Sequence, residues 1–387
     1  MSAIAGGKQA SKTCSAARRN ICENARAPLR MKSRLFDKQE NVDCIRGNPG
    51  GILMAFSARR AIYKKIEASR NTKVIAYVTS DRQGAETQIG ADCVDLFVDV
   101  LDKIGPTPKI SLLLHTNGGS TSSAWRLVNL IKSFCDEFEV LIPLKAMSAG
   151  TLISLGASKI VMTKQAALGP IDPSLTHPLG PQIPVGNQLA RIPVSVEAVR
   201  GYLDAATQDL AIKSDQTLGG ILMDLSNKVH PLVLGEIFRS RAQIRFLASK
   251  LLKENVQDSD KVQAIIDFLC ADSGSHDYTI NRREAAALGL PVEKPSDEFY
   301  AILKKIHKDF ATELKLTEPF NPSVELAGNA STQYRLVRGL VESTGGGCHG
   351  YLSEGTLTKS LVPHPAPPHI PMEQINDQRD FEGWKSI

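Results

Sequence analysis

The sequence has no run of about 18 apolar residues, the length a helix needs to cross a bilayer, so no helical membrane span is expected. Its first residues also lack the continuous apolar stretch of a secretory signal. Cysteine is scattered rather than patterned: Cys14, Cys22, Cys44, Cys93, Cys135, Cys270 and Cys348 are odd in number and never form a Cys-x-x-Cys pair. That excludes a disulfide framework and a structural zinc, and it suits a reducing compartment. No Gly-x-x-x-x-Gly-Lys-Ser/Thr loop occurs, which excludes nucleotide hydrolysis on a P-loop. His349, His364 and His369 have no ligand-like spacing with Cys348, so no metal or other cofactor is expected. The expectation is a soluble, cytoplasmic protein.

What charge there is sits at one end. The net charge is only +5, yet residues 1–40 carry nine Lys or Arg against Glu23, Asp37 and Glu40. The rest of the chain is near neutral, so any nucleic-acid role would have to reside in that arm, and none is expected. Residues 1–51 are rich in Ala, Ser, Arg and Lys, show no sustained period and close on Gly47-Asn48-Pro49-Gly50-Gly51, which reads as a basic, flexible arm.

With 387 residues and 42% apolar content, the chain can bury a large core. Met54, Ala55, Ala58, Ile62 and Ile66 space as one helical face, with Arg59, Arg60, Lys64 and Lys65 outward. The run Val74-Ile75-Ala76-Tyr77-Val78 is apolar without alternation, as in a strand buried on both faces. A helix over residues 93–104 follows, and strand then helix recurs through residues 110–163. Such alternation gives an α/β domain with a mainly parallel sheet, flanking helices, and active loops at the carboxyl ends of the strands. A more helical half begins at Ser195, an expected N-cap. It continues through residues 219–252, interrupted or kinked near Pro231, and through 260–270. An Asn281-x-x-Glu284 capping box and a last amphipathic helix over 297–314 complete it. Beyond Glu318 the pattern weakens: Tyr334 to Val341 reads as one more strand or helix, and residues 316–387, with Gly345-Gly346-Gly347 and a Pro-rich run from Pro363 to Pro371, read as an extension that becomes flexible toward its end.

Two segments carry chemistry. In Ala146-Met147-Ser148-Ala149-Gly150-Thr151 a serine stands between small residues where a strand turns into a helix. Exposed N–H groups and the positive end of the helix dipole would stabilise an oxygen that becomes negative during acyl transfer. Ser148 alone reads equally as an N-cap. The second segment is Leu113-Leu114-His115-Thr116-Asn117-Gly118-Gly119-Ser120, a strand ending in a Gly-Gly turn whose main-chain N–H groups can approach a substrate. Together they point to an oxyanion hole facing a nucleophile.

These two segments, followed by Ala167-Leu168-Gly169-Pro170-Ile171-Asp172-Pro173, resemble the serine dehydrogenase proteinase family. That family belongs with signal peptide peptidase A and the ClpP protease in the ClpP/crotonase superfamily. The resemblance covers about residues 52–315 and implies a serine peptidase fold, with Ser148 as nucleophile and N–H groups of Gly118, Gly119 and Ala149 as oxyanion donors. It further implies a protein or peptide substrate and a homo-oligomer. The ClpP catalytic histidine has no counterpart: the matching positions are about Ile171 and Asp172, and Pro-Ile-Asp-Pro reads as turn chemistry.

A serine hydroxyl needs a base. Signal peptide peptidase A relatives use a lysine kept neutral by burial, and Lys213 falls roughly where that lysine would lie. His177, His230 and His276 are the other candidates, and Lys145 lies three residues before the serine. Two alternatives stand beside a peptidase: a non-catalytic scaffold that kept the fold, and a crotonase-like acyl-CoA enzyme that shares the oxyanion logic without a serine nucleophile.

Overall fold

The computed structural model describes residues 56–171, 174–185, 188–272, 277–363 and 371–387. In chain order, helix α1 (Phe56–Arg70) leads into β1 (Lys73–Thr79), α2 (Asp92–Ile104), β2 (Thr107–His115), α3 (Thr121–Lys132) and β3 (Cys135–Ile142). The short strand β4 (Lys145–Ala146) precedes α4 (Ala149–Leu155), β5 (Lys159–Met162) and β6 (Ala167–Leu168). Short strands β7 (Ser174–Leu175), β8 (Gln182–Val185), β9 (Gln188–Arg191) and β10 (Val194–Ser195) occupy the Pro-rich stretch. Next come α5 (Val196–Asp204), α6 (Asp215–Lys228), α7 (Pro231–Lys253), α8 (Ser259–Asp267), β11 (Ile280–Asn281), α9 (Arg282–Ala287), β12 (Val292–Glu293) and α10 (Asp297–Glu313). The chain closes with α11 (Pro322–Leu326) and three long strands, β13 (Ser331–Ser343), β14 (Gly347–Pro363) and β15 (Pro371–Ser386).

The main sheet has the order β12-β5-β3-β2-β1-β13-β14-β15, parallel from β12 to β1 and antiparallel from β1 to β15. Its central strands are buried on both faces, as their unbroken apolar runs require. Leu112 and Leu114 point into a core shared with α2, α3, α4, α7 and α8, whereas Leu113 points into a second core with α1 and α10. This alternation along one strand makes the layered α/β sandwich.

Local signals act as their chemistry dictates. The Ser195 side chain accepts from the N–H of Ala198 and caps α5, and Asn281 accepts from the N–H groups of Arg283 and Glu284 and caps α9. Pro231 stands in the first turn of α7, where its missing N–H costs nothing, so the chain breaks there into two helices. The largest departure from the sequence reading is the C-terminal extension. Residues 331–343, where one more strand or helix was weighed over 334–341, form a strand of the main sheet, and so do residues 347–363 and 371–386, where a flexible, partly extended tail was expected. The arm of residues 1–51 and Asp172, His276, His364 and His369 lie outside the described residues.

Candidate active site

The serine turn and the glycine turn meet at the carboxyl ends of β2 and β4. Thr116 joins them: its N–H donates to Lys145 O (3.2 Å) and its carbonyl accepts from Met147 N–H (3.0 Å). Its Oγ1 accepts from Gly118 N–H (3.0 Å) and from Thr79 Oγ1 (2.8 Å). One threonine thus ties the ends of β1 and β2 to both turns.

Ser148 occupies the N-cap position of α4 with φ 49° and ψ −110°, and its hydroxyl makes no capping bond. A non-glycine residue at positive φ costs on the order of 1–3 kcal/mol and persists only where its surroundings impose it. What imposes it is the packing. A Cβ on Gly118 would lie 2.8 Å from Ser148 Cβ and 3.2 Å from Ala149 N, and one on Gly150 would lie 2.5 Å from Thr116 Cγ2. Gly118 and Gly119 have φ 111° and 140°, and a Cβ on Gly119 would lie 2.4 Å from Ile89 O, so neither position accepts a side chain.

Gly118 N–H is engaged by Thr116, and among the described residues the N–H groups of Gly119 and Ala149 have no protein acceptor. Thr151 secures the third segment: its Oγ1 donates to Ala146 O (2.9 Å) and Gly169 O (2.7 Å) and accepts from Gly169 N–H (3.1 Å). The Leu-Gly-Pro loop is thereby fastened to the serine helix.

The base candidates are dispersed. Lys213 is exposed on the loop before α6. His177 Nδ1 accepts from Leu179 N–H, and its Nε2 lies 3.3 Å from Glu236. His230 is spent as a cap, its Nδ1 accepting from Leu232 N–H.

A polar cluster lies at the same strand ends, of which sequence reading had weighed only Lys145. Asp81, just beyond β1, pairs with Lys145 on β4, and His115 Nε2, at the end of β2, lies 3.6 Å from Asp81 Oδ1. The His307 ring on α10 stacks at a tilt against His115, with centroids 5.1 Å apart. Burial works against the Asp81 charge, but His115 and Lys145 overcome it and hold the carboxyl well below its usual range. Burial, with His115 beside it, pushes His307 down to about 4. The signal for these residues was positional: three of them stand where parallel strands end. Among the described residues no cluster of His, Cys, Asp and Glu has the arrangement of a metal site.

Residues 49–313 match the family described as ClpP-like SDH-type serine proteinase. Protein MJ0137 of Methanocaldococcus jannaschii is 30% identical over 260 residues, which span 65% of this chain and 79% of that protein. MJ1495 of the same organism is 29% identical over 237 residues, spanning 59% and 69%. Similar solved structures include a lysine-to-alanine variant of the 1510-N membrane-bound stomatin-specific protease in complex with a substrate peptide (17% identity, 59% of this chain and 78% of that one, TM-score 0.33). Another is ClpP1 from Listeria monocytogenes (13% identity, 61% and 97%, TM-score 0.31). With the match running through the serine turn, the glycine turn and the Leu-Gly-Pro loop, this chain belongs to the ClpP-like SDH-type serine proteinases.

Proposed function

We propose that the chain hydrolyses peptide bonds with Ser148 as the nucleophile. The observation that carries this reading is the Ser148 turn: a strained serine at a helix start, its hydroxyl unused as a cap, packed against a Gly-Gly turn. Ser148 Oγ attacks the peptide carbonyl carbon while a base takes its proton, and the carbonyl oxygen becomes an oxyanion. The N–H groups of Gly119 and Ala149 receive that oxyanion, while Gly118, expected from the sequence as a third donor, has its N–H held by Thr116 and shapes the turn. Collapse of the tetrahedral intermediate expels the amine, which takes the proton back from the base, and water then cleaves the acyl-enzyme by the same route. Lys213, His177 and His276 are the substitutions that test for the base.

Substrate is a protein or peptide, and the working form is a homo-oligomer. The exposed apolar side chains of α6 and α7, Leu222, Met223, Leu232 and Phe246, support self-association, and a monomer by sedimentation analysis would contradict it. The scattered, unpatterned cysteines of the sequence support a reducing compartment such as the cytoplasm.

Fluorophosphonate labelling of the parent and of Ser148→Ala tests the nucleophile, because such probes react only with an activated serine beside an oxyanion hole. Labelling of the parent alone is the expected result. Labelling of neither across a pH series would favour the second reading, a scaffold that has lost its base, which the exposure of Lys213 favours.

A further inference from the structure

The family match ends at residue 313, yet the strands that follow reach the candidate active site through one loop, residues 80–89. Between Val337 and Gly339 the β13–β14 register shifts, so Arg338 is an extra residue in its strand. Such a bulge releases a residue from the ladder and re-aims its side chain. The Arg338 carbonyl accepts from Ser80 N–H (2.9 Å) and Thr87 Oγ1 (2.5 Å). Its guanidinium donates to Ala85 O (3.2 Å) and Glu86 O, and it is itself held by Ser353 Oγ (2.8 Å) and Glu382 (2.5 Å).

A second clasp closes the other side of the loop. Phe320 N–H donates to Gln83 O, and Arg82 Nε donates to Glu318 O, both at 2.8 Å. Gly84, at φ 79°, passes so close that a Cβ there would lie 2.9 Å from Phe320 O.

The loop in turn holds the site. Ile89 N–H donates to Gly118 O, and Ile89 O accepts from Ser120 N–H, both at 2.8 Å, so Ile89 brackets the Gly118-Gly119 turn. At the loop's other end Asp81 pairs with Lys145, three residues before Ser148. Oxyanion donors work only when fixed before reaction, and small misplacements are costly.

We infer that Arg338 is a positioning residue: the C-terminal extension holds loop 80–89, and the loop holds the glycine turn in register with Ser148. The role assigned to that turn rests on the serine peptidase reading; the mechanical coupling does not.

The test compares full-length parent, Arg338→Ala, Arg338→Lys and Lys359→Ala, a rung of the same β14–β15 hairpin away from the loop. Two readouts are taken: amide hydrogen exchange at Ile89 and Ser120, and the rate of fluorophosphonate labelling. In Arg338→Ala both amides exchange about tenfold faster and labelling slows about tenfold or more, while β3 and β5 keep their protection. Arg338→Lys, with one ammonium in place of a fork, falls between, and Lys359→Ala matches the parent. Unchanged exchange at Ile89 and Ser120 in Arg338→Ala overturns the inference, as does an equal change in Lys359→Ala. If the parent does not label, the peptidase reading fails and exchange alone decides the coupling. Should Arg338→Ala not fold, Gly84→Ala loosens the second clasp, and the same two amides must respond.

Discussion

Gly118 and Ser148 are in such close contact that a methyl group on the glycine would sit 2.8 Å from the serine Cβ. Gly118→Ala must therefore displace one turn or the other. Fluorophosphonate labelling is expected to fall by about 100-fold, the scale associated with losing an oxyanion donor. Far-UV circular dichroism of the variant should remain that of the parent, because both turns lie outside the sheet ladders.

Thr151 makes three hydrogen bonds inside the protein and none of them to solvent-facing groups. Thr151→Val keeps the shape and leaves Gly169 N–H buried without an acceptor. A loss of about 2 kcal/mol in urea unfolding is expected, with Thr151→Ser close to the parent.

His307 supplies a sign for the acid side of the stability curve. Its folded-state value, about 4, lies below the ordinary 6.5, so on acidification the unfolded chain takes up the proton first. The stabilisation is whole above pH 6.5 and is lost progressively between about 6.5 and 4, by no more than about 3 kcal/mol. His349, also lowered by burial, acts with the same sign. Urea midpoints measured at pH 7, 5.5 and 4.5 should fall steadily in the parent and less steeply in His307→Gln. Asp81 acts lower: its stabilisation is present above the ordinary carboxylate value and is lost only as pH falls beneath it.

Arg59, expected outward from the helical pattern, is instead buried with three carboxylates around it, bonding Glu342 through Nε (2.9 Å) and Nη2 (2.6 Å), Asp309 through Nη1 (2.9 Å), and Glu313. Arg59→Met leaves those carboxylates without their cation. Breaking a buried ionic cluster from one side costs about 3–5 kcal/mol, and chemical denaturation should show a loss of that order.

The parallel half of the sheet was legible because its strands are buried on both faces and so carry apolar residues without interruption. Ser195 and Asn281 were legible as caps because capping is local: donor and acceptor lie within three residues. The C-terminal strands were far less so: β13 was weighed only as one more strand or helix, and β14 and β15 were missed. They are polar, half exposed and interrupted by glycines, and β13 finds its partner in β1, far away in sequence. The same non-locality hid Asp81, His115 and His307, which join Lys145 in a cluster drawn from four separate elements that share no spacing. Ser148 was visible as a serine at a helix start, but its unused hydroxyl and positive φ are properties of the packed turn.

Because β13 lies against β1, the first strand of the main sheet among the described residues gains its second neighbour from a segment synthesised long after it. Until residues 331–343 emerge, β1 has an open edge, able to pair with any other extended chain nearby. A nascent or prematurely terminated protein would already contain the serine and both glycines, but it would have neither a closed sheet nor a fastened 80–89 loop. Closure of the β1 edge thus waits on the synthesis of residues 331–343.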